Sequence, residues 1–550
     1  MKKLSWMLAT IFSCGLMLTA CLPNYTAVAD DDDVIKPETP VVKDLTKPET
    51  PVEKDFTIIY YGNGGGNLDA SILWNMCQMY EADESSYDKV NIVVQYKHSQ
   101  NIKNEAKYVD FIETQAIPGF EFEKGTTYRF AVDPEKYYSE KSPQMQFTDD
   151  NIYGGKGNKV DIGQADTLCN YIKWAVKNYP AKQYVLVFSD HGGGYMPNDD
   201  LPESLTKSTT ASTRGIVYDD GYKSDYGDSH LSVTGLTRAI REAGIKPALI
   251  YFDACLMNNL EYMFELKDLT SYIMASTYLT PGAGGTYAPF INALAKKGAT
   301  PEAFEQYYVA LRKYWSDNDP TIAGYHDNSV TRTDRLDAVG TTLRTFVDCL
   351  TDVYQNGDTE VRNEIDLITA KVYKVASSNP YYDMENFLAY MANEKQVSNT
   401  KLNAAADAAL EAIGNANVAY TGTQYTYNNY VPGPSVLMAQ EGFYSYLYYE
   451  EDATGKNVLT GKKDYSWDGT TFTYTWDSTN QKFVDDDNDG TWGSTGANTY
   501  EKLKFDQATG WSRWLKLNKQ EPNLVSPTTN NENWDESYIY TPGHLQQSWQ

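Results

Sequence analysis

The sequence predicts an α/β protein: a mainly parallel sheet flanked by helices, followed by a helical and then β-rich accessory region. Three observations carry this. From Phe56 onward, short β-type runs alternate with helix-period segments. Two of those runs end in side chains able to do chemistry, at the place where open α/β sheets hold ligands. After Asp358 the composition changes, first to a helical pattern up to Ala416 and then to a Tyr/Thr/Asn/Gly-rich chain.

In order, Thr57–Tyr61 reads as a strand and Leu68–Tyr80 as a helix. Val90–Tyr96 and Tyr128–Val132 are strands, and Gln164–Asn178 is a helix with one apolar face. Tyr184–Phe188 is a strand, Val233–Ala243 a helix and Ala248–Phe252 a strand. Leu256–Leu269 reads as a helix and Tyr272–Ser276 as a strand. Further on, Gly442–Tyr449 is β-like. Asp468-Gly469 reads as a tight turn leading into a run where Phe472, Tyr474 and Trp476 alternate as in a half-buried strand. Those aromatics read as core more readily than as a sugar platform.

The 550 residues suffice for several domains and a sizeable core, and 41% hydrophobic content marks the bulk as globular. Lys+Arg 47 against Asp+Glu 74 gives −27. That balance argues against nucleic acid, whose phosphates need a basic face.

The first residues read as an export signal. Lys2 and Lys3 precede an apolar run from Leu4 to Leu18, shorter than the ~20 residues a membrane span needs. Leu18-Thr19-Ala20-Cys21 resembles a bacterial lipobox, with Cys21 as the lipidated residue. The expected divisions are a signal at 1–20, a tether at 21–55, a catalytic domain at 56–355 and the accessory region at 356–550. The tether carries the acidic run Asp30–Asp33. It also holds two Pro-rich units, beginning at Lys36 and Lys47, that favour extended chain. An exported lipoprotein on the outer membrane or cell surface is the expected localisation, with the lipid as its membrane contact.

With Cys14 in the signal and Cys21 lipidated, Cys77, Cys169, Cys255 and Cys349 remain. Cys77 and Cys169 sit in helix-period apolar runs and Cys349 beside Phe346 and Leu350, so each reads as a buried, inert thiol. Cys255 follows the run Ala248–Phe252 as Asp253-Ala254-Cys255, where a helix N-terminus would favour a thiolate. The other notable run, Tyr184–Asp190, leads into His191-Gly192-Gly193-Gly194. A thiol, an imidazole and glycine N–H groups able to approach a carbonyl are the parts of cysteine-dependent acyl transfer. Asp253 could equally cap the helix expected after it.

At these residues the chain resembles the clostripain family of cysteine peptidases, within the caspase-like clan. The pair His191-Gly192 and Asp253-Ala254-Cys255 carries the likeness. Gly163–Leu168, Arg214–Asp220, Leu231–Leu236, Leu256-Met257 and Glu261 extend it. The resemblance covers about residues 56–350, and more weakly Tyr381–Met391 and the surroundings of Trp511. It implies a caspase-like sheet and hydrolysis of protein or peptide substrates through a thioester. Cys255 would be the nucleophile and His191 the general base and acid. The N–H groups of Gly192 and Cys255 would form the oxyanion hole. The family cleaves after Arg or Lys, with Asp253 helping to form the pocket. Bond breaking would require no cofactor. Self-cleavage between the two strands, as in some relatives, would fall in the Ser/Thr-rich segment 196–214, with Lys207 favoured over Arg214.

Two segments depart from the family pattern. Tyr61-Gly-Asn-Gly-Gly-Gly-Asn67 replaces an acidic, Asn-rich turn, and the loop Thr277–Thr286 lacks an expected acid. Asp485, Asp487 and Asp489 are spaced like the start of a calcium loop, but position twelve is Gly496 where a bidentate Glu belongs. Ca2+ there is thus a candidate on spacing alone. The rival expectation is a surface lipoprotein that binds, glycan included, through a peptidase-like fold that no longer cleaves.

Overall fold

The computed structural model describes residues 51–518, except 103–121, 135–137, 140–141, 144–150, 156, 196–214, 225–226, 319–325, 373–380, 423–432, 438–443, 452–456, 466–470, 478–481 and 486–499. Across 444–485 it describes the backbone.

Eight strands form the main sheet: β1 (Lys54–Asn63), β2 (Val90–Lys97), β3 (Thr127–Ala131), β4 (Ala181–Ser189), β5 (Leu249–Asp253), β6 (Tyr272–Ala275), β7 (Asp327–Arg332) and β8 (Asn417–Gly422). Their order is β8-β7-β6-β5-β4-β1-β2-β3. The central five, β6, β5, β4, β1 and β2, run parallel. β3 joins one edge antiparallel, as do β7 and then β8 at the other.

The apolar runs that predicted these strands are continuous because both sheet faces are covered. Strand alternation sends Ile59, Tyr61, Leu186, Phe188, Ile250 and Phe252 to one face, where helices Ala165–Asn178, Val233–Ala243 and Leu336–Asn356 pack. Ile58, Tyr60, Val185, Val187, Leu249 and Tyr251 go to the other, under helices Asp69–Gln78, Tyr287–Lys297 and Pro301–Asn318. The α/β reading and nearly every predicted element are therefore present. One helix differs. It spans Leu260–Leu266 rather than starting at Leu256, with Asn259 as its N-cap accepting from the Tyr262 N–H.

Several described elements beyond 356 pack on the main sheet. Helices Thr359–Lys371, Met384–Ala392 and Thr400–Ala416 lead into β8 at the sheet edge. Trp511 and Trp514 are fully buried in the core that contains Phe346 and Phe387. Each such side chain contributes about 1.5–3 kcal/mol or more of apolar burial. Strands Tyr444–Glu451, Asn457–Tyr465, Thr471–Asp477 and Lys482–Asp485 make a separate antiparallel sheet, the expected β-rich unit.

From β1 the chain moves outward to β2 and β3, then returns to place β4 on the other flank of β1. This reversal leaves a crevice at the carboxyl ends of β1 and β4, the place where open α/β sheets bind ligands.

Candidate active site

Register brings His191 and Cys255 to one level. Ser189 at the end of β4 pairs with Asp253 at the end of β5, and Gly62 of β1 pairs with Ser189. His191 and Cys255 each lie two residues beyond that matched pair, on strands about 4.8 Å apart. The backbones then nearly touch. A Cβ on Gly192 would fall 2.2 Å from the Cys255 carbonyl oxygen, so only glycine fits. A bridge between Gly192 and Ile216 spends the Gly193 N–H on the Gly215 carbonyl at 3.0 Å, rather than that of Gly192.

The turn after β1 holds His191. Its Nε2 lies 2.6 Å from Asn67 Oδ1. Gly65, at φ +53°, passes close beside the ring: a Cβ there would lie 2.8 Å from His191 Cδ2. Asp190 fixes the backbone below. Its buried carboxylate accepts the His191 N–H at 2.6 Å, the Tyr218 N–H at 2.6 Å and the Asn63 amide at 3.1 Å. Val217 next to Tyr218 is held at φ +62°, a conformation costly for a β-branched residue, by about 1–3 kcal/mol.

Cys255 is 8% exposed. Its sulfur accepts the Thr280 N–H at 3.3 Å. The next residue, Leu256, turns through φ +64° and donates its N–H to the Tyr278 carbonyl at 3.0 Å. Because the helix begins only at Leu260, the expected stabilisation of a Cys255 thiolate by a helix N-terminus does not apply. The Thr280 N–H donates to the sulfur, and the thiol in turn lies 3.9 Å from the Thr280 carbonyl oxygen.

The same shift takes the capping role away from Asp253. Asn259 caps the helix, while Asp253 faces the loop after β6. Its Oδ2 accepts the Gly285 N–H at 2.9 Å and the Tyr287 hydroxyl at 2.7 Å. Its Oδ1 is buried without a hydrogen-bond partner. Tyr251 and Tyr307, whose hydroxyls lie 3.0 Å apart, stand beside Gly285. Burial pushes the Asp253 carboxyl above its ordinary range, only partly offset by those two donors. The loop itself has no acid, but Asp327 of β7 reaches it. Its carboxylate takes the Thr277 and Tyr278 N–H groups at 2.9 and 2.8 Å, and burial pushes its pKa up to about 6.

Cys77, Cys169 and Cys349 are buried free thiols, as expected, and burial pushes Cys77 up to about 12. Cys21, Lys207, Asp487 and Asp489 lie outside the described residues, and Asp485 ends a strand described by its backbone. Among the described residues no group of three His, Cys, Asp or Glu is arranged to hold a metal. Sequence reasoning missed Asn67, Thr280, Tyr287 and Asp327. Only Asn67 gave a usable signal, a polar residue in a glycine-rich turn at the carboxyl end of the first strand.

An imidazole and a thiol on matched strand ends of such a sheet define the class, a cysteine peptidase fold. The sequence model of the clostripain family matches residues 61–517, and the chain belongs to that family. Clostripain of Hathewaya histolytica is 23% identical over 251 residues, covering 44% of this chain and 43% of the relative. The match thus spans less than half the length of that relative. Among solved structures, a secreted C11 cysteine protease from Bacteroides thetaiotaomicron bound to an irreversible peptide inhibitor is 16% identical. It covers 83% of this chain and 99% of its own, with a TM-score of 0.49. An inactive zymogen C11 protease from Parabacteroides distasonis is 14% identical, covering 84% of this chain and 99% of its own, with a TM-score of 0.44.

Proposed function

We propose that the chain is an endopeptidase that hydrolyses peptide bonds after basic residues through Cys255 and His191. The observation that carries this is the matched register of the two residues, with Gly192 packed against the Cys255 carbonyl. The Cys255 Sγ–H proton passes to the His191 ring as sulfur adds to the substrate carbonyl carbon. The carbonyl π electrons move to oxygen, where the Gly192 and Cys255 N–H groups receive the oxyanion. Collapse breaks the C–N bond, and the amine leaves with the His191 proton. Water then gives a proton to His191 while its hydroxyl adds to the thioester. Breaking the C–S bond frees the acid, and the thiolate is reprotonated.

Asp253 selects the residue before the scissile bond. Its buried, unpartnered Oδ1 suits a cation from the substrate. Since Oδ2 is already engaged, one oxygen is open, which suits a lysine ammonium better than the two-pronged arginine. Lipid on Cys21 anchors the enzyme to the bacterial envelope through the tether, and cleavage at Lys207 activates it. Calcium is not needed for the bond-breaking step. The test is labelling with a peptide carrying a basic terminal residue and a thiol-reactive ketone. The expected adduct, mapped by mass spectrometry, is on Cys255. Labelling spread over Cys77, Cys169 and Cys349 instead would reject the assignment.

A further inference from the structure

We propose that Asn67 is a positioning residue that fixes the tautomer of His191, so that Nδ1 is the nitrogen that takes and returns the proton. This rests on the dyad reading above. The Asn67 side-chain oxygen lies 2.6 Å from His191 Nε2. An amide oxygen can only accept, so neutral His191 carries its hydrogen on Nε2 and keeps its lone pair on Nδ1. The hydrogen bond also sets the plane of the ring.

The turn that carries Asn67 is built to hold it still. Asn67 and Leu68 both donate to the Gly64 carbonyl, at 3.1 and 2.7 Å. The Gly66 N–H donates to Ser99 Oγ at 2.8 Å. Asn63, at the head of the turn, donates to Asp190 and to the Tyr218 carbonyl. Gly64 packs so tightly on Asp69 that a Cβ would lie 2.1 Å from its carboxylate. The turn is therefore tied to Ser99 just past β2, to the residue preceding His191, and to the strand residue Tyr218.

The orienting group is a neutral amide, and the nearby acids are engaged elsewhere. Asp190 binds the His191 N–H, the Tyr218 N–H and Asn63. Asp69 binds Tyr96, the Ser99 N–H and His98. Asn67 thus aligns the imidazole without adding the charge that would favour imidazolium.

The experiment compares Asn67→Ala, Asn67→Asp and His191→Ala in the purified full chain, on a peptide cleaved after lysine. For Asn67→Ala, kcat should fall by about 10²-fold, the cost of a misplaced catalytic group, with KM nearly unchanged. Asn67→Asp keeps the acceptor and adds charge. It should retain more kcat than the alanine variant and move the acid limb of the kcat/KM profile to higher pH, because a carboxylate favours imidazolium. A purely structural role would not produce that shift. If Asn67→Ala does not fold, the nearly isosteric aspartate variant decides by its pH profile alone. Native kcat in Asn67→Ala, or an unmoved acid limb in Asn67→Asp, would overturn the proposal. Activity surviving in His191→Ala would instead reject the dyad beneath it.

Discussion

At the residue scale, the site depends on contacts too close for any but the residues present. Gly192 permits the backbone after His191 to meet the Cys255 carbonyl, and Gly65 permits the turn to pass close beside the imidazole. Both histidine and cysteine were legible in the sequence because each follows an apolar run that could only be a buried strand. Of their partners only Asn67 left a signal, since it and Thr280 come from loops whose course depends on the whole fold. Asp253 was legible as an acid, but the sequence did not show that the following helix begins only at Leu260, with Asn259 as its cap. Its burial leads to a prediction. Asp253→Asn should lose cleavage after lysine by on the order of 10²-fold, as expected when one partner of a buried charge pair costing about 2–5 kcal/mol is removed. Its thermal stability near neutral pH should not fall. The raised folded pKa means that ionised Asp253 opposes folding above its ordinary range near 3.8. Kinetics and melting curves on one preparation check both halves. Retained lysine preference would remove Asp253 from the substrate pocket.

At the element scale, the loop after β6 is the least predictable part of the site and the most heavily anchored. Asp327 holds its first turn, and the Thr277 hydroxyl donates to the Gly433 carbonyl at 2.8 Å. Gly433 in turn packs on Glu385 in the first turn of helix Met384–Ala392. Burial, with Asp383 nearby, pushes Glu385 from its ordinary value of 4.5 up to about 8. A carboxyl whose folded pKa is raised binds its proton more tightly in the native state. Its contribution is therefore fully present below the unfolded value and is lost as pH climbs from about 4.5 to 8. Glu385→Gln should flatten the decline of stability across that window. Each tenfold difference in proton affinity between the folded and unfolded chain is worth about 1.4 kcal/mol, and the glutamine variant escapes that loss. Denaturant melts at intervals from pH 5 to pH 9 measure this. An unchanged slope would show that Glu385 is ionised without penalty.

At the scale of the whole molecule, the chain is a peptidase sheet completed by its own C-terminal half. β8 closes one edge of the sheet, and Trp511 and Trp514 fill the core beside Phe346 and Phe387. Ser435 meets the segment just past Cys255 through its bond to the Asn258 carbonyl at 2.8 Å. The alternation of strand and helix was legible because both faces of the sheet are buried, which makes its strands continuous apolar runs. The return of residues 417–422 to the sheet edge was not, because an edge strand of six residues with little apolar periodicity looks like any other short strand. Whether register assembles a working Cys255–His191 pair is decided by cleavage of a mixed peptide library. The native chain and its Cys255→Ala counterpart would be compared by mass spectrometry, each also after nicking within residues 196–214. Cuts after lysine, and fewer after arginine, are expected from the native chain and should vanish in the alanine variant. Cuts that persist in that variant, or none from the nicked native chain, would refute the pair.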